Sequence, residues 1–179
     1  MKSQALLLFA VLLIHSFAHA TAPAEERVLR HEKVIHAPVA EVWKAFTTSE
    51  GTRHWMAPVA EVDFRLGGSI RTNYSPTAKP GDPGTIVHHI LSYEPGRMLS
   101  TQFTAPAGAT GPARTAQAVW WVARMEPLPD GSTRLTYTGV GWGEGAEWDA
   151  AYQFFDRGNA YTLQQLADYL EKKPLAAGK

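Results

Sequence analysis

The segment from Glu144 to Lys172 contains no proline. Along it Trp148, Ala151, Tyr152, Phe155, Asn159, Thr162, Leu166, Tyr169 and Leu170 recur at helical spacing. Arg157, Gln164, Asp168, Glu171 and Lys172 lie mostly off that stripe. The segment therefore reads as one long helix whose broad apolar face must be covered by another layer. Gly158 interrupts it. A glycine there costs about 1 kcal/mol against alanine, which points to close packing on a sheet or to room for a ligand. Pro174 and the final AAGK end the segment.

What comes before supplies the other layer. RVLRHEKVIH (27–36) has strand composition. Pro38 suits the first turn of a helix, and Val39, Val42, Trp43 and Phe46 fall on one helical face. A second helical turn is predicted over SEGTRHW (49–55), with Ser49 as N-cap. After that the chain reads as strand over 58–66, 69–75, 84–93, 97–104, 114–126 and 133–142. Gly67-Gly68, SPTAKPGDPG, EPGR and PLPDGS punctuate those runs with turn chemistry. Short links between successive strands favour an antiparallel meander. The fold class is α+β: a curved antiparallel sheet wrapped around a long C-terminal helix, with two short helices after strand one closing an end.

The chain opens with Met1-Lys2, an apolar run from Ala5 to Ile14, and Ala18-His19-Ala20. This is the pattern of a secretory signal peptide over residues 1–20. The run is shorter than the ~20 residues a membrane span needs, so no span is expected once the signal is cleaved. Residues 21–26 read as a solvated leader, 27–172 as one domain and 173–179 as a tail. The formal charge is zero, so no basic face is implied and a nucleic-acid partner is not expected. The absence of cysteine excludes disulfides, thiol catalysis and thiolate metal sites.

Together, VIHAPVAEVWKAFTTSEGTRHW, VDFRLGGSIR, ILSYEPGRMLS, DGSTRLTYTGVGW and the final helix resemble the SRPBCC, or START-like, superfamily with its helix-grip, Bet v 1-like fold. More narrowly they resemble homologues of the heat-shock protein 90 ATPase activator. The resemblance implies a cavity between the concave sheet and the long helix. It also implies a small hydrophobic ligand or lipid as partner, or a cyclase or dehydratase activity on such a molecule. Export, to a periplasm or out of the cell, would separate the chain from cytosolic chaperones. No cofactor is implied.

Candidate cavity residues follow from strand alternation, from the helical stripe and from the resemblance. They are the aromatic side chains Trp55, Tyr74, Tyr93, Phe103, Trp121, Trp148 and Phe155, with His89, Gln102, Tyr137, Tyr152 and Asn159 as polar tips. On 114–126, Val119, Trp121, Ala123 and Met125 share one face, and Arg124 and Glu126 mark the other as wet. The same argument turns Leu135 and Tyr137 inward. His88 and His89 point to opposite faces of a regular strand, so at most one meets a cavity and the two cannot share an ion. A metal would need a third ligand such as His54 or Asp63, and the usual ligand spacing is absent. Asn73-Tyr74-Ser75 is a glycosylation sequon, and Asp63 and Arg65 read as a surface ion pair. No residue is assigned a catalytic role. The alternatives are that these rings fill an ordinary core or that they wall a pocket.

Overall fold

The computed structural model describes residues 26–172. The expected signal peptide, nearly all of the leader and the tail lie outside the described residues. In chain order the elements are β1 (Leu29–Ile35), α1 (Val39–Thr47), α2 (Ser49–Arg53), β2 (Val59–Asp63), β3 (Ser69–Asn73), β4 (Ile86–Glu94) and β5 (Met98–Thr104). Then follow α3 (Pro112–Thr115), a 3-10 turn over Ala116–Ala118, β6 (Trp120–Pro127), β7 (Thr133–Val140) and α4 (Ala146–Lys172).

Seven strands form one sheet in the order β1-β7-β6-β5-β4-β3-β2, with every pairing antiparallel. This is the meander that short links predict, with β1 closing on β7. The register is carried by alternation. Trp121, Ala123 and Met125 are buried while Trp120, on the other face, is 53 % exposed. β4 carries a bulge between Ile90 and Ser92, which resets the alternation and bends the strand.

α4 lies across the sheet's inner face. Its C-terminal half packs Leu163, Leu166, Ala167 and Leu170 into a cluster with Ile35, Val42, Phe46, Ile90 and Leu135. Its first turns bring Ala151 to a second cluster with Leu29, Phe103, Val119, Trp121 and Trp142. Tyr137 touches both clusters. The sheet and helix are therefore joined at two places, and the middle of α4 bridges the interval between them.

Three expectations are corrected. Residues 114–118 are helical rather than strand. Pro112 occupies the first turn of α3 behind Gly111, whose φ of 61° suits glycine. The N-cap of α2 is Thr48, whose Oγ1 accepts from the Gly51 amide at 3.0 Å. Ser49 Oγ instead accepts from the Val62 amide at 2.9 Å and ties β2 to this turn. At Gly158 an added Cβ would meet no atom within 4 Å, so close packing on the sheet is not its reason. No helix among the described residues is long and apolar enough to cross a membrane.

Candidate functional site

Between the two clusters the structure leaves a hollow of about 240 Å³. Its border is partly open, since Tyr74 and Phe154 there are 62 % and 50 % exposed. An engineered void of about 150 Å³ takes up benzene, so the scale here suits a molecule of two or three rings.

The sheet supplies one wall through Ile86 and His88 on β4, Phe103 on β5, Trp121 on β6 and Tyr137 on β7. α4 supplies the other through Phe154, Phe155, Asn159, Thr162 and Leu163. Trp55 and Met56, just after α2, close one end, and Tyr74 and Ala113 border the rest. The aromatic wall is self-supporting. Trp121 stacks on Tyr137 with centroids 5.3 Å apart and planes 13° apart. Phe155 leans on Trp121 at 5.4 Å and on Phe103 at 5.7 Å. The Trp55 indole N–H is already used by the Ala45 carbonyl, at 2.9 Å. Trp55 therefore offers the hollow only its ring.

Polar groups at the hollow are few, and none carries charge at neutral pH. His88 Nε2 lies 3.4 Å from Thr72 Oγ1. Burial, reinforced by neighbouring His89, lowers the His88 pKa to about 4, so the ring is neutral at pH 7. Burial, with a smaller contribution from Tyr74, pushes the Tyr137 phenol far above its ordinary value and keeps it protonated. The Asn159 side-chain amide nitrogen is covered from solvent and has no hydrogen-bond partner. No Asp, Glu, Lys or Arg lines the space.

Of the residues expected at a cavity, Trp55, Tyr74, Phe103, Trp121, Tyr137, Phe155 and Asn159 border the hollow. Five others are placed elsewhere. His89 faces out and meets Thr104 Oγ1 at 2.8 Å. Gln102 alternates away from Phe103 and donates to the Ala118 carbonyl. Tyr93 packs on Phe64, beyond the bulge in β4. Trp148 and Tyr152 join Trp142 past the end of the hollow, and the Tyr152 hydroxyl donates to the Val28 carbonyl.

Alternation leaves open which of His88 and His89 faces in, and the sequence reading names His89; Met56, Ile86, Ala113, Phe154, Thr162 and Leu163 are not anticipated. A signal for His88 was present. Ile86, His88 and Ile90 share parity, and Ile90 is apolar enough to set that face inward.

Other expected sites resolve differently. His54 stacks on Tyr169 at 4.4 Å, and Asp63 pairs with Arg65 at 3.0 Å. Among the described residues no group of three or more His, Asp or Glu is placed to hold a metal ion. The sequon asparagine, Asn73, is buried, and its amide donates to the Pro83 carbonyl and Thr85 Oγ1 while accepting from the Ser75 amide.

A grip of this geometry has known counterparts. The family model described as Activator of Hsp90 ATPase homolog 1-like protein matches residues 36–171. The chain belongs to that family. As a member of the SRPBCC superfamily it shares its architecture with solved structures of low sequence identity. The Aha1 dimer from Colwellia psychrerythraea is 16 % identical, with a TM-score of 0.65 over 82 % of this chain and 97 % of that one. Protein MLL2253 from Mesorhizobium loti is 19 % identical, with a TM-score of 0.66 over 83 % of this chain and all of that one, 100 %. DynU16, a protein in the dynemicin biosynthetic locus, is 20 % identical, with a TM-score of 0.64 over 83 % of this chain and 48 % of its own. At these identities the likeness establishes the fold. Among curated proteins none matches the chain.

Proposed function

We propose that this Activator of Hsp90 ATPase homolog 1-like domain binds a small hydrophobic molecule between its sheet and α4. The observation that carries this reading is the aromatic hollow of about 240 Å³ between two separately packed clusters. Apolar walls with a few polar tips are the usual make-up of a ligand site. The basic-then-apolar opening of the chain supports work outside the cytosol. Export would also separate the domain from cytosolic chaperones.

A second reading, an enzyme of the cyclase or dehydratase type, draws support from the likeness to a protein of the dynemicin biosynthetic locus. It would need a base at the hollow. His88 is the candidate by position, but its partner is Thr72 at 3.4 Å rather than a carboxylate or phenol. A pKa of about 4 also leaves it a weak base at neutral pH. Binding is therefore the better-supported reading.

Native mass spectrometry of the purified protein, paired with thermal shifts across a panel of apolar compounds, tests it. Co-purified ligand or a stabilising compound is expected. A protein that carries nothing and responds to no member of the panel would count against binding.

A further inference from the structure

The chemistry of the hollow narrows its occupant. Trp121 and Phe103 from the sheet and Phe155 from α4 pack on one another and present the space with one continuous aromatic wall. A flat aromatic molecule suits such a wall, because aromatic pairs favour offset or edge contacts at centroid distances of about 4.5–7 Å. No ionised side chain borders the space. A charged ligand would therefore lose its hydration without gaining a counter-charge.

One polar feature is left over. Asn159 borders the hollow, yet its amide nitrogen is covered and lacks a partner. Buried amide donors are rarely left unpaired. The terminal amide torsion of asparagine is soft, so rotation about it can present the donor to the hollow that Asn159 borders. No protein acceptor is bonded to it in the structure, and an acceptor on a ligand in the hollow can take that place. We infer that the site selects an uncharged aromatic molecule bearing a carbonyl-type acceptor, which receives a hydrogen bond from Asn159. This rests on the binding reading above and specifies the class of ligand within it.

Three matched probes test the inference on the full chain at pH 7: 9-fluorenone, fluorene, and fluorene-9-carboxylate. The ketone should bind about tenfold more tightly than the hydrocarbon, the scale of one net hydrogen bond at the upper end. The carboxylate should bind more weakly than either. Asn159→Leu should bring the ketone down to the hydrocarbon's affinity while leaving the hydrocarbon bound. Asn159→Ala serves the same purpose if the leucine variant does not fold, because the ratio of the two affinities is read within one protein.

Equal affinity for ketone and hydrocarbon in the unaltered protein would overturn the inference and leave the binding reading standing. A preference that survives both Asn159 substitutions would overturn the assignment to that residue. A carboxylate that binds as well as the ketone would overturn the requirement for a neutral ligand. Failure of all three probes to bind would overturn the inference, while the binding reading falls only if native mass spectrometry and the wider apolar panel are silent too.

Discussion

Trp121 lies directly over Gly139. The two residues are register partners on β6 and β7, and a Cβ added at Gly139 would meet the indole Cζ3 at 2.8 Å. The Gly139 carbonyl also accepts the Trp142 indole N–H at 2.9 Å. One residue without a side chain thus sets the depth at which Trp121 sits in the sheet, and so the shape of one wall of the hollow.

Gly139→Ala should therefore force the indole outward from the sheet, into the hollow. Overpacking of this kind costs about 1–3 kcal/mol. Urea denaturation should show that loss, and the affinity for an aromatic probe should fall with it. A variant of unchanged stability and affinity would mean that Trp121 has room to yield.

His88 makes stability depend on pH. Its folded pKa is lowered to about 4, against an unfolded value near ~6.5. As pH falls from 6.5 the unfolded chain takes up a proton that the folded chain refuses until about pH 4. Stability therefore declines across that window and is regained as pH rises, by up to about 3 kcal/mol. The difference between the original protein and His88→Phe, followed by denaturation from pH 7 to pH 4, isolates this contribution. Curves that run parallel would show that His88 protonates freely in the fold.

Gly158 offers a gain. An added Cβ meets nothing within 4 Å, and the residue sits inside α4 with ordinary helical backbone. Gly158→Ala should stabilise the protein by about 0.5–1 kcal/mol, raising the thermal midpoint by a few degrees. A lower midpoint would reveal a steric or functional demand at that turn.

Asn73 is a structural asparagine despite its sequon. Its side chain holds the Pro83 carbonyl, Thr85 and the Ser75 amide, which together pin the loop between β3 and β4. Asn73→Ala should cost about 1–3 kcal/mol by leaving buried polar groups unpaired. Protease cleavage within residues 75–84 should accelerate in step. Unaltered stability would show that water replaces all of these bonds.

Much of this architecture was legible because two periodicities dominate it. Period two sent Trp121, Ala123, Met125 and Leu135 inward, and all four are buried. Helical spacing placed Ala151, Leu166 and Leu170 on the covered face of α4, and they are covered. Failures occurred where periodicity is silent. Residues 114–118 begin behind a positive-φ glycine and a proline, and local turn chemistry there overrides strand composition.

Regular alternation would put His88 and Tyr93 on opposite faces, and the β4 bulge brings both to the inner side. Along α4, helical spacing identified one face but could not say where along it the sheet recedes. Trp148 and Tyr152 thus share a stripe with Phe155, yet meet Trp142 instead of the hollow. Phe154 lay off the stripe and is 50 % exposed, and only the tertiary arrangement brings it to the border.

The most direct test is an NMR titration of isotope-labelled protein with 9-fluorenone, read at the backbone amides and the indole N–H groups. Perturbations should concentrate at Trp55, Phe103, Trp121, Phe155 and Asn159, on both walls at once. Shifts confined to the outer sheet face around Trp120, or none at millimolar probe, would contradict a ligand held between sheet and helix.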